Sequence, residues 1–136
     1  MTASGQTDLI GEHGVKKSDL RVRMLGALDE ASASLSLAKA FCSTSNQILL
    51  EICQKDLSRM MGLMAALPKS PIEKLTGSFS AELEKLEETI KAVEATVSYP
   101  TDFIQPGHTP ATGTLDLARA IVRRAEREWV AGFEIL

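Results

Sequence analysis

Residues 115–130 read LDLARAIVRRAEREWV, and the rhythm of that stretch decides the fold. Leu115, Ala118, Val122, Ala125 and Trp129 recur at steps of three and four, the spacing that lines up apolar side chains on one face of an α-helix. The other faces carry Arg119, Arg123, Arg124, Glu126 and Arg127. Arg119, Arg123 and Glu126 step by four and then three and share a face, while Arg124 and Arg127 lie about 100° further round per residue and form a second short column. Two readings stand for these groups. One is a solvated face with local pairs such as Arg123 with Glu126. The other is an anion site, because Arg offers a rigid fork of donors that suits phosphate and carboxylate, where Lys would serve for solubility alone.

The same apolar spacing recurs upstream. SDLRVRMLGALDEASASLSLAKAF, residues 18–41, opens with Ser18 as a candidate N-cap and Asp19 in the first turn. Leu25, Leu28, Leu35 and Ala38 then form its stripe. Asp29 and Glu30 stand beside Gly26, Ala27, Ala31 and Ala33; small residues let helices approach closely, so an acid there could orient an arginine from another helix or another subunit. Their plainer reading is two exposed acids. After a polar turn at 42–47, residues 48–67 place Leu49, Cys53, Leu57, Met60, Met64 and Leu67 on one seam. Pro68 ends that helix and residues 68–77 read as a loop. A third helix from about Phe79 to Val97 repeats the alternation with Phe79, Leu83, Leu86, Ile90, Val93 and Val97. Residues 99–113, YPTDFIQPGHTPATG, are too rich in Pro and Gly for helix. Residues 1–17 hold three glycines and no hydrophobic period, which predicts an irregular leader. No stretch alternates convincingly as a strand. The pattern predicts an all-α protein, an antiparallel bundle of four long helices in one domain spanning 1–136.

Bulk properties narrow the function classes. A chain of 136 residues can bury a core without staples. Its formal charge of −3 leaves no overall basic field to hold nucleic acid. No apolar run approaches the roughly 20 residues that span a bilayer, and the N-terminus lacks the apolar stretch of a secretory signal, so no membrane partner is expected. Cys42 and Cys53 show neither metal nor disulfide spacing and read as thiols of a reducing compartment, with the cytoplasm the default. His13 and His108 are the only histidines, too few for a metal site.

FIQPGHTPATGTLDLARAIVRRAER, residues 103–127, resembles the PduO-type ATP:cob(I)alamin adenosyltransferases, whose pattern there is close to F-I-L-P-G-G-[ST]-x-x-A-A-x-L-H-x-A-R-x-x-x-R-R-A-E-R. RVRMLGALDEASA, residues 21–33, is similar to their R-V-E-x-Y-G-x-x-D-E-L-N-S, and CQKDL, residues 53–57, to I-Q-x-D-L. GQTDLIGEHGVKKSDLRV, residues 5–22, can be laid without gaps on G-x-T-x-L-x-G-G-x-R-V-x-K-x-D-x-R-V. The likeness touches all four elements in order.

The resemblance implies a helical bundle assembled as a homotrimer, with ATP, Mg2+ and cobalamin as substrates or ligands at subunit interfaces. It implies transfer of the 5′-deoxyadenosyl group of ATP to cob(I)alamin, giving adenosylcobalamin and triphosphate. By position, Arg119, Arg123 and Asp29 match catalytic and interface residues. Gly5, Thr7, Lys17, Arg123, Arg124 and Glu126 match the ATP side. Phe103 matches an aromatic beneath the corrinoid, and His108 lies in the same corrinoid loop, where its plainer reading is a histidine facing water. A cobalamin reductase or a B12-dependent enzyme is the partner that such chemistry implies. The departures are specific: Glu12 replaces a leader glycine, Gly14 a leader arginine, Ser32 an asparagine, His108 a loop glycine and Asp116 a helix histidine. The family also continues into a further helix, whereas this sequence stops at Leu136. These changes define the alternative, a catalytically impaired paralogue that binds corrinoid or nucleotide as a trimeric structural protein.

Overall fold

A computed structural model describes residues 5–67 and 79–135. Two short strands, β1 (Gln6–Leu9) and β2 (Glu12–Lys16), precede four helices: α1 (Leu20–Lys39), α2 (Thr44–Ala65), α3 (Ser80–Glu94) and α4 (Pro110–Phe133). The loop expected at 68–77 lies outside the described residues.

Helix α1 is the central rod, with α2 along one side and α4 along another. Its buried residues, Met24, Leu28, Ala31, Ser34, Leu35 and Ala38, step by threes and fours as the sequence requires. Helix α4 answers in steps of seven with Ala118, Ala125 and Gly132. Ala38 and Ala118 share one core cluster, and Ala31 and Ala125 the next. At the third level Met24 lies against Gly132 so closely that a Cβ there would overlap its sulfur. As the α1 number falls by seven, the α4 number rises by seven. The rods are therefore antiparallel, and small residues at each level let them meet. Helix α2 contributes Met64, with Leu67 just beyond its end, and the half-buried Leu57 and Cys53.

The leader is not irregular. β1 and β2 pair antiparallel, with Gln6 opposite Lys16, Thr7 opposite Val15 and Leu9 opposite Glu12. Gly11, with φ 74°, closes the two-residue turn in the left-handed region that glycine enters without strain. Lone hairpins are marginal in water. This one is docked: the Ile10 N–H donates to the carbonyl of Ala65 at the end of α2, 3.1 Å away, and Val15 is buried. Tertiary anchoring supplies what a four- or five-residue strand lacks in pattern.

Boundaries shift for physical reasons. Asp19, not Ser18, caps α1, its carboxylate accepting the Arg21 N–H. Helix α2 begins at Thr44, inside the expected polar turn. Helix α4 begins at Pro110, inside the Pro/Gly stretch: Pro fits the first helical turn, and Thr109 and Thr112 form a reciprocal capping box. The third helix is shorter than its stripe suggests, and none of its residues is buried. Val122 of α4, expected in the core, is also exposed. No helix among the described residues is long and apolar enough to cross a membrane.

Candidate functional site

Two groups of site residues emerge, at different heights of the bundle. The first is the hairpin end. Gly5 and Lys17 are joined where the Lys17 N–H donates to the Gly5 carbonyl, 2.9 Å away, and Thr7 sits in β1 opposite Val15. The fold thus gathers Gly5, Thr7 and Lys17 at the entrance to α1. Asp8 stiffens the same hairpin, accepting the Gly14 N–H at 2.9 Å and lying 3.2 Å from His13 Nδ1. The Gly14 bond, and then His13, hold its carboxyl below the usual range.

Arg21 holds the hairpin to the rods. Nη1 and Nη2 donate to Glu12 at 2.8 and 3.3 Å, Nε and Nη2 to Asp19 at 3.2 and 3.1 Å, and Nη1 also to the Leu67 carbonyl at 2.7 Å. Its side chain is only 12% exposed. All five guanidinium N–H bonds are therefore used. The Glu12 and Asp19 hydrogen bonds raise the Arg21 pKa further, and Arg21 in turn keeps the Asp19 carboxyl ionised below its ordinary range. Glu12, the acid that stands where the resemblance expects a leader glycine, is thus the paired partner of a largely buried cation. Sequence reasoning passed over Arg21. Its signal was position: a cation in the first turn faces the positive end of the helix dipole and needs compensation.

The second group lies along the middle of α4. Arg119 donates from Nε and Nη2 to Asp116 Oδ1 at 3.0 and 2.8 Å. Arg124 pairs with Glu30 of α1. Arg127 Nη1 donates to the Arg123 carbonyl at 3.2 Å. The side chains of Arg123, Glu126 and Asp29 make no ion pair among the described residues. Arg119 and Arg123 together line a mostly apolar cavity of about 470 Å3 that also touches Leu35, Leu86 and Cys53. Burial, then the Asp56 charge, raise the Cys53 pKa, so that thiol stays protonated. Phe103 and His108 stand in the segment ahead of α4, exposed, Phe103 to 95%.

The helix register fixes the separation of the groups. Arg123 is level with about residue 33 of α1, whereas the hairpin joins α1 at Leu20. At 1.5 Å per residue, that is on the order of 20 Å along the rod. Within one chain, the structure does not bring Lys17 to Arg119 and Arg123, nor Asp29 to either arginine.

Comparison with known proteins gives concordant results. Residues 2–135 match a family model described as cobalamin adenosyltransferase. The chain is 36% identical over 128 residues to a corrinoid adenosyltransferase, PduO, of Salmonella typhimurium, covering 93% of this chain and 38% of that relative. It is 31% identical over 134 residues to a corrinoid adenosyltransferase of Mycobacterium bovis, covering 93% of this chain and 68% of the relative. The chain therefore spans well under half the length of the PduO relatives of Salmonella typhimurium and Citrobacter freundii. A variant PduO-type ATP:corrinoid adenosyltransferase from Lactobacillus reuteri, solved with cobalamin and ATP, superposes with a TM-score of 0.80 at 29% identity, covering 96% of this chain and 74% of that one.

Proposed function

The chain belongs to the cobalamin adenosyltransferase family, and we propose that it transfers the 5′-deoxyadenosyl group of ATP to cob(I)alamin. The cobalt(I) electron pair forms the bond to C5′, the C5′–O bond breaks, and its electron pair leaves on triphosphate. The observation that carries this reading is the single face of α4 on which Arg119 and Arg123 border one cavity, with Arg123 answered by no acid among the described residues. Fixed cations aimed at a leaving polyanion stabilise the charge that develops there and need no reorganisation to do so. Arg119 and Arg123 take that role in the proposal, with Arg124 and Glu126 on the same nucleotide side and Gly5, Thr7 and Lys17 cradling the phosphates.

A triphosphate is far shorter than the height between Lys17 and Arg123 along one bundle. The reading therefore requires the hairpin of one copy to meet the α4 face of another, which supports a homotrimer with intersubunit sites. Asp29, which makes no ion pair among the described residues, is the acid of α1 that would engage an arginine of the neighbouring copy. The exposed Phe103 and the adjacent His108 form the corrinoid side; an aromatic so uncovered gains by burial beneath a ligand or a neighbour. The described residues hold no group of three or more acidic, thiol or imidazole ligands. Mg2+ therefore fits as an ion carried by the phosphates, in keeping with its habit of few protein ligands, and would screen charge on the nucleotide. Residues 1–136 act as one domain in this account, with the cytoplasm as the compartment and a cobalamin reductase or a B12-dependent enzyme as partner.

The experiment mixes the protein with ATP, Mg2+ and chemically reduced cobalamin and follows the spectral conversion to adenosylcobalamin. Conversion is expected, with Arg123→Ala slowing it by roughly a hundredfold. Asp29→Ala should shift scattering mass from trimer toward monomer. Intact trimers that bind ATP without turnover would instead leave the impaired-paralogue reading standing. One of the leader replacements behind that reading, Glu12, is already engaged by Arg21.

A further inference from the structure

The clamp around Arg21 straddles Lys17. Glu12 lies before that lysine in the chain and Asp19 after it, and one guanidinium grips both carboxylates while anchoring to the Leu67 carbonyl just beyond the end of α2. Two backbone bonds close the same turn: Asp19 N–H to the Lys16 carbonyl at 2.8 Å, and Lys17 N–H to the Gly5 carbonyl at 2.9 Å. The backbone of Lys17 is thereby tied on both sides, while its ammonium makes no ion pair among the described residues.

We propose that Arg21 and Glu12 are positioning residues for nucleotide binding: their ion pair sets the height and angle of the hairpin, and so aims Lys17 and Thr7 at the polyphosphate. The inference rests on the ATP reading above. Arg21 does not touch the nucleotide in this account, because every one of its donors is already committed. Glu12 is the part of the clamp on the hairpin itself, and it is 43% exposed where Arg21 is 12% exposed. Deleting its carboxylate releases β2 without disturbing the α1 cap or the core. A Lys at position 21 keeps the charge but cannot serve two carboxylates and a carbonyl with planar, paired donors.

The test compares wild type with Glu12→Ala, Glu12→Asp and Arg21→Lys by calorimetric titration with ATP and with inorganic tripolyphosphate, alongside hydrogen exchange at the Thr7 and Val15 amides. Loss of one charge-assisted pair should weaken binding of either anion roughly tenfold in Glu12→Ala and Arg21→Lys. Glu12→Asp should recover part of that loss. Exchange at the hairpin amides should quicken in step, with an unchanged thermal midpoint in the Glu12 variants; Arg21→Lys, which also loosens the contacts to Asp19 and Leu67, should lower its midpoint. Where turnover is measured, KM for ATP should rise while kcat and KM for cobalamin hold. A purely structural role would lower the thermal midpoint and the active fraction and leave the ATP affinity of folded protein unmoved, and that outcome overturns the proposal. So does faster hairpin exchange with unchanged anion binding. Wild-type protein that grips ATP without producing adenosylcobalamin would sink the enzymatic reading alone; the binding comparison would still judge the clamp.

Discussion

Helices α3 and α4 carry the same apolar alternation, yet they end in different circumstances. Helix α4 buries Ala118, Ala125 and Gly132 against α1. Helix α3 buries nothing, and Leu83, Leu86, Ile90 and Val93 are 43–57% exposed. Periodicity tells that a segment is helical and which face is apolar. It does not tell whether that face has a partner. The partner of α4 is written in a second sequence, the matched heptad steps of α1 at Met24, Ala31 and Ala38. Among the described residues no comparable counterpart answers α3. Its ties there include the Arg59–Glu82 ion pair, the Arg59 guanidinium 4.7 Å over the Phe79 ring, and the walls of shallow apolar cavities shared with Met60 and Trp129.

The sharpest way to break that contrast is a pair of truncations. Met64→Ala empties a fully buried site between α2, α1 and Trp129, and should cost about 2–5 kcal/mol in urea unfolding. Leu86→Ala removes a larger share of the apolar stripe of α3 but little buried area, and should cost about 0.5 kcal/mol or less. Equal losses would mean that α3 is packed as tightly as the rods, and the distinction drawn here would fail.

The hairpin end offers a middle case, where charge rather than packing does the holding. Asp19 is ionised below its ordinary range because Arg21 donates to it. Asp19→Asn keeps a competent cap but removes the charge, and should cost about 1 kcal/mol at neutral pH. The sign with pH follows from the depressed folded pKa. The carboxylate's contribution is fully present above its unfolded pKa of about 3.9 and is lost as pH falls through the lower folded value. Stability curves of wild type and Asp19→Asn should therefore converge below about pH 4. A gap that persists undiminished into strong acid would show that the Arg21 contact is not what the aspartate contributes.

The four helices and the arginine faces of α4 were legible, because each rests on local spacing that a helix repeats for many turns. The central place of α1 was not, because it depends on which helices pack against it. Nor was the hairpin: strands of four and five residues carry no period to read, and Ile10 gains its anchor only from the end of a distant helix. The residue-by-residue likeness named Lys17 and Arg123 but could not give the roughly 20 Å of rod between them, which appears only once the α1–α4 register is known. Arg21 was hidden for a related reason. Its three partners lie at positions 12, 19 and 67, and only the first two are close in sequence.

The rim of the α1–α4 contact should matter least. Glu30 pairs with Arg124 directly beside the Ala31–Ala125 level, but each side chain is about half exposed. Water already solvates both groups there, so the pair gains little over its separated state, and holding two long side chains in register costs rotamer freedom. Glu30→Gln is therefore expected to destabilise by only about 0.2–1 kcal/mol at low salt, with the difference fading in 1 M salt, where the screening length falls to roughly 3 Å. Urea titrations at both salt levels check it. Its neighbour Asp29 provides the contrast within one turn of helix: that acid makes no ion pair among the described residues, so its removal should act on assembly and leave monomer stability alone. A salt-resistant loss of several kcal/mol from Glu30→Gln would move the main attachment of α4 from the small-residue seam to the charged rim.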